Sequence, residues 1–197
     1  MNQPTPVRQG WRTVDIIVAA VVGVAFGVVF AGWNLLWAAL GPAFTAFPPL
    51  QAFMYGVWLL PGVLGGLLIR KPGAATFTEL VAATVSVFFG AASPLVIILY
   101  GLFEGLGAEA VYAGFRYRSW RLPVVLLAAF GAGLVPAVAD NVLYNAAWAP
   151  LWILTYGVLV LASSTVIAGF GSHGLVRSLA KTGVLAPFAS GREQTVA

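Results

Sequence analysis

From residue 16 to residue 69 the chain has no Asp, Glu, Lys or Arg, and three further stretches, 80–103, 122–139 and 141–176, share that property. A helix needs about 20 apolar residues to cross a bilayer core, so these stretches accommodate several crossings and the first alone accommodates two. Charged residues make up 8% of the chain and hydrophobic ones 60%, whereas a soluble domain carries about a quarter charged residues. Too little polar surface is left to face water. The expected fold is therefore an all-α integral membrane domain. Gly41-Pro42 and Pro48-Pro49 break the first stretch, and a turn at 90–94 breaks the second. Six transmembrane helices are predicted, near 14–38, 51–69, 74–91, 94–115, 121–139 and 149–176. Residues 1–13 form a cytoplasmic N-terminal segment in this reading, 14–176 the six-helix membrane domain, and 177–197 a cytoplasmic C-terminal tail. Arg8 and Arg12 ahead of an apolar run suggest a signal peptide at first sight. The run extends to Trp37, well beyond the roughly 7–15 residues of a signal core, so it reads as a retained first helix.

The ten basic residues set the orientation. Arg8 and Arg12 precede the first helix, Arg70 and Lys71 lie between the second and third, and Arg116, Arg118 and Arg121 lie between the fourth and fifth. Arg177, Lys181 and Arg192 follow the sixth, and the loops at 39–50, 90–94 and 140–148 carry no basic residue. Positive loops stay cytoplasmic, which puts both termini inside. The basic balance is thus an orientation signal. Spread over four short segments, it does not form a nucleic-acid patch. Trp11 and Trp120 fall at the inner boundary and Trp37, Trp148 and Trp152 at the outer one, where aromatic belts lie.

Several kinds of chemistry are excluded. Without cysteine there is no disulfide or thiolate site, and no metal site is expected. The single His173 has no carboxylate near it in sequence to orient it, so no catalytic residue is assigned. No nucleotide-binding loop occurs, so no cofactor is expected in this chain.

The carboxylates are more informative. Glu79 lies eight residues past Lys71, about 12 Å inward, and Glu104 lies ten residues past Pro94, near the midplane. A charge at the bilayer centre costs at least ~2.5 kcal/mol, and no basic residue shares their depth. Both therefore point to a functional cavity. Tyr100, Glu104, Ala108 and Tyr112 recur every four residues on one helix face, and Glu79 shares a face with Ala82, Ala83 and Ser86. Glu109 lies in the inner half of the same helix as Glu104 and joins the candidate site. The outer ends add Trp33, Asn34, Tyr55 and Trp58, and the run Asp140, Asn141, Tyr144, Asn145 and Trp148. Aromatic faces with amides and carboxylates suit a flat, cationic heterocycle.

A second pattern lies on the first helix. Ala19, Gly23, Gly27 and Ala31 are spaced by four, and such a small-residue stripe lets another helix approach closely. Either a helix of the same chain or another membrane subunit could use it.

Three segments carry a family resemblance: Ile69-Arg-Lys-Pro-Gly-Ala-Ala75, Thr78-Glu-Leu-Val-Ala-Ala83 and Gly105-Leu-Gly-Ala-Glu-Ala110. With the six-helix layout they resemble the YkoE type of S component, the substrate-binding subunit of energy-coupling factor (ECF) transporters for thiamine or its hydroxymethylpyrimidine precursor. The resemblance implies the S-component fold in a bacterial cell membrane and capture of thiamine or its aminopyrimidine part at the outer face. It also implies delivery inward with a transmembrane T component and two ATPase subunits, which alone use ATP. It assigns the stripe Ala19, Gly23, Gly27 and Ala31 to T-component docking. The chain departs from the family at Glu104, where Gln is common. Two other readings of the residues are a proton-coupled small-cation transporter or channel built on Glu79 and Glu104, and a membrane-embedded enzyme. The first lacks the two related halves common in secondary transporters, and the second lacks a nucleophile–base set.

Overall fold

The structure, a computed structural model, describes residues 10–90 and 93–192. Among these every regular element is helical. Helix α1 (Thr13–Leu40) starts at Arg12, whose backbone N–H donates to Asp15 Oδ2 at 2.8 Å. It stops where Gly41-Pro42 forces a 3₁₀ turn, Gly41–Phe44. The second crossing is a composite: a 3₁₀ segment, Pro48–Val57, passes into α2 (Leu60–Ile69). Arg70, in the left-handed conformation at φ 58°, ends α2. Helix α3 (Ala74–Val87) and α4 (Pro94–Gly114) follow, then α5 (Leu122–Leu143). The last crossing is α6 (Pro150–Ser163), a π-helical turn Ser164–Phe170, and α7 (Gly171–Lys181); a short α8 (Ala189–Arg192) comes after it.

Among the described residues five helices are long and apolar enough to cross a membrane, and α3 is a shorter apolar helix beside them. These elements correspond to the six expected crossings, with three shifted ends. Helix α3 ends at Val87 instead of 91, because residues up to Gly90 form turns. Helix α5 runs on to Leu143, so Asp140 and Asn141 belong to its last turn and not to a loop. The last rod reaches Lys181 instead of stopping at 176.

Helix α2 is the axis of the bundle. Every residue from Pro61 to Ile69 is buried, and glycines on it let neighbours come close. A Cβ on Gly66 would meet the ring of Tyr112, and one on Gly65 would meet Thr78. Tyr112 donates from its hydroxyl to the Val63 carbonyl at 3.0 Å, tying α4 to α2.

The small-residue stripe of α1 faces inward, against α3. Added Cβ atoms on Gly23 would stand 2.7 Å from Val81 and 2.9 Å from the Thr78 carbonyl; on Gly27 one would stand 2.9 Å from the Ala82 carbonyl. Ala19 is buried and Ala31 half-buried. At Gly23 and Gly27 the stripe lets α1 lie against α3 of its own chain, the first of the two uses its spacing allows.

The basic ends of the helices meet in one layer. Lys71 Nζ lies 2.5 Å from Asp15 Oδ2, and Arg12 Nη2 lies 2.8 Å from Oδ1 of the same carboxylate. Trp11 Nε1 donates to the Pro72 carbonyl at 2.8 Å. The Arg70 guanidinium stacks 5.6 Å from the Trp120 ring, and that of Arg12 lies 5.8 Å from the Phe188 ring. The start of α1, the 70–73 turn, the 116–121 loop and the segment before α8 therefore share one end of the bundle. That is the arrangement expected of cytoplasmic loops.

Candidate functional site

Glu79 defines the deep end of a cavity at the opposite, outer half of the bundle. Helix α2 begins where the 3₁₀ segment ends, and its first N–H groups have no partner within the helix. Gly62 donates one of them to Glu79 Oε2 at 2.6 Å. A side chain at position 62 would crowd this contact, since an added Cβ would stand 2.8 Å from that oxygen. The other oxygen, Oε1, is buried with no hydrogen-bond partner. Glu79 is 1% exposed, so its environment satisfies half of the carboxyl group and leaves the other half buried without a partner beside the cavity that Glu79 lines.

The cavity encloses about 470 Å³, within the range of small-molecule sites. Glu104 joins Glu79 at the deep end, and Ala83, Ser86 and Gly101 line the wall outward from them along α3 and α4. The α1 side is a cluster of aromatic rings. Trp37 and Trp58 have centroids 5.0 Å apart, and Tyr55 lies 5.1 Å from Trp58. Trp58 Nε1 donates to Asn34 Oδ1 at 3.0 Å, and Gln51 Nε2 donates to the Trp37 carbonyl at 2.8 Å. These bonds fix the 3₁₀ segment against α1 and present its ring faces inward.

The far wall is built around Asp140. Tyr100 and Tyr156 donate their hydroxyls to its two carboxylate oxygens, each at 2.5 Å, and the Tyr55 hydroxyl faces both Asp140 and Glu104. Trp148 packs edge-on against Tyr156 at 6.0 Å. Asn145 is buried and Tyr144 is exposed at the rim. Residues from α4, α5, α6 and the 3₁₀ segment thus converge on one carboxylate.

Ten of the thirteen expected binding residues line this cavity: Asn34, Tyr55, Trp58, Glu79, Tyr100, Glu104, Asp140, Tyr144, Asn145 and Trp148. Three do not. Trp33 uses its Nε1 to donate to the Met54 carbonyl at 3.1 Å, fastening α1 to the 3₁₀ segment. Asn141 donates to the carbonyls of Ala137 and Ile153 at 2.9 and 3.0 Å, bridging α5 to α6. Glu109 sits at the inner end as a cap for α3. It accepts from the backbone N–H groups of Gly73 at 2.7 Å and Ala75 at 2.9 Å, and from the Tyr117 hydroxyl at 2.7 Å. Burial and the adjacent carboxylate push the Tyr117 phenol up from its ordinary range. All three corrections have one cause: each polar group finds its partners in the backbone or side chains of a neighbouring element.

The cavity also includes residues outside the expected set, chiefly Phe30, Trp37, Gln51, Ser86 and Tyr156. Tyr156 was discoverable in principle. A tyrosine in the middle of an apolar helix needs a partner for its hydroxyl, and Asp140 is the nearest carboxylate in sequence.

Comparison with known proteins accords with this geometry. The family described as "ABC-type cobalt transport system, permease component" matches residues 14–135. The HMP/thiamine permease protein YkoE of Bacillus subtilis (strain 168) is 34% identical over 190 residues, spanning 94% of this chain and 92% of that protein. A solved structure titled "Crystal structure of an S-component of ECF transporter" superposes with a TM-score of 0.89 at 33% identity, covering 94% of each chain. A bundle helical throughout its described residues, with a cavity among the helices, and a relative matched along nearly its whole length leave one assignment: the chain is a multi-pass membrane protein of the ABC-type cobalt transport permease family and belongs to the YkoE-type S components, the substrate-capturing subunits of ECF transporters.

Proposed function

We propose that this chain captures thiamine or hydroxymethylpyrimidine in its outward-facing cavity and passes it inward together with a transmembrane T component and ATPase subunits, which alone use ATP. The observation that carries the reading is the buried, unpartnered Oε1 of Glu79, a residue that lines an aromatic-walled cavity. A polar atom in that setting costs free energy unless a ligand donates to it, and the exocyclic amine of an aminopyrimidine is such a donor. The rings of Trp37, Tyr55 and Trp58 supply stacking faces for a flat heterocycle, and the thiazolium of thiamine gains from their quadrupoles. The relative's name as an HMP/thiamine permease supports the same ligand class. The face of α1 at Gly23 and Gly27 is taken by α3, which leaves Ala31 and the exposed faces of the bundle for the T component.

Calorimetric titration of the purified chain and its Glu79→Ala, Glu104→Ala and Glu104→Gln variants tests the proposal. Loss of a charge-assisted hydrogen bond costs about 1.5–3 kcal/mol, so each alanine variant should bind roughly ten- to hundredfold more weakly. Glu104→Gln keeps an acceptor oxygen and should lose less. Unchanged affinity in both alanine variants would remove the carboxylates from the binding reaction.

A further inference from the structure

Charge distribution in the cavity bears on which forms of a ligand can enter. Three carboxyl groups line it, those of Glu79, Glu104 and Asp140, and among the described residues no Lys or Arg does. Both oxygens of Asp140 accept from tyrosine hydroxyls, which fixes its carboxyl group in place on the cavity wall. The basic side chains Arg12, Arg70 and Lys71 are engaged at the inner end of the bundle, and Arg116 lies in the turn past the inner end of α4. The Gly62 N–H at the start of α2 is given to Glu79. Phosphate recognition needs Arg, Lys or free helix-terminal N–H groups. Among the described residues the cavity lining offers no Arg or Lys.

We infer that the cavity is an anion filter: it accepts neutral and cationic heterocycles that donate hydrogen bonds and rejects their phosphate esters. This inference rests on the capture function proposed above and narrows its substrate class. Glu79 and Glu104 stand at the deep end and Asp140 on the far wall, so an ester group held inside the cavity lies close to at least one carboxyl group. For one extra negative charge about 8 Å from a carboxylate, in a medium of effective dielectric about 20, the repulsion corresponds to roughly thirtyfold in affinity. The aromatic walls add nothing to offset it, because ring faces repel anions. Any phosphorylated form outside the membrane therefore has to lose its phosphate before this chain can take it up.

The test is calorimetric titration of the full chain in lipid nanodiscs with thiamine, thiamine monophosphate and the O-acetyl ester of thiamine. The acetyl ester enlarges the same alcohol without adding a negative charge. The monophosphate should bind at least about thirtyfold more weakly than thiamine, the acetyl ester within about fivefold of it, and Asp140→Asn should narrow the monophosphate penalty to below about fivefold. Monophosphate binding within threefold of thiamine would overturn the filter while leaving the capture function intact. An acetyl ester as weak as the monophosphate would assign the selection to size and also overturn it. If neither thiamine nor hydroxymethylpyrimidine binds, the capture proposal itself fails and the filter falls with it.

Discussion

Two glutamates on neighbouring helices illustrate how partners separate a structural carboxylate from a binding one. Glu109 receives backbone N–H groups from Gly73, Ala75 and Thr76 together with the Tyr117 hydroxyl. Nothing is left for a ligand. Glu79 receives one backbone N–H on Oε2 and none on Oε1. Substitutions should separate the two. Glu109→Ala uncaps α3 and leaves several donors without an acceptor, a loss of about 2–4 kcal/mol. Thermal unfolding in detergent should show the drop, with ligand affinity nearly unchanged in whatever fraction stays folded. Glu79→Gln should do the opposite: stability within about 1 kcal/mol of the parent and affinity reduced several-fold or more. If Glu109→Ala weakens binding as strongly as Glu79→Ala without lowering stability, the division of roles is wrong.

At the level of helices, close approach is the recurring device. Gly23 and Gly27 bring α1 onto α3, and Gly107 and Gly131 bring α4 onto α5 backbone to backbone. A large side chain in either seam forces the helices apart, so Gly23→Leu should lower stability by roughly 1–3 kcal/mol. It should weaken binding as well, because α3 carries Glu79. Val24→Ala, on the exposed face of the same helix, should alter neither. A stable, fully binding Gly23→Leu that failed only in transport would restore the stripe to partner docking.

The same elements show what the sequence could and could not reveal. Gaps between charges located all six crossings, because the bilayer penalises charge irrespective of local geometry. They did not reveal that Pro48–Val57 is 3₁₀ or that Ser164–Phe170 is π-helical. Where every face of a segment is apolar, hydrophobic periodicity has no contrast to read. The depth of Glu79 and Glu104 was legible from spacing alone. Glu109 was misassigned because no local pattern shows that the 73–76 backbone folds onto α4. Tyr156 was missed because its partner, Asp140, belongs to the preceding helix.

For the whole molecule, polarity is divided between two ends. One end gathers Arg12, Arg70 and Lys71 into ion pairs and cation–π contacts; the other holds a cavity lined by carboxylates and aromatic rings. The division orients the chain in the membrane and fits its role as a subunit that takes ligand from outside. Single cysteines can test it directly, since the chain has none of its own. A cysteine at Arg118 should react only with a membrane-permeant thiol reagent, and one at Ala146 should react with an impermeant reagent added outside. Labelling of position 118 from outside would invert the topology and the cavity with it.

The central claim is that the carboxylate-bearing cavity binds an aminopyrimidine vitamin or precursor. Titrating the purified chain with thiamine and with hydroxymethylpyrimidine tests it most directly, alongside the Glu79→Ala variant. Saturable one-to-one binding of at least one compound is predicted, weakened roughly ten- to hundredfold by the substitution. Absence of binding by both compounds to folded protein, or equal binding to the parent and to Glu79→Ala, would contradict it.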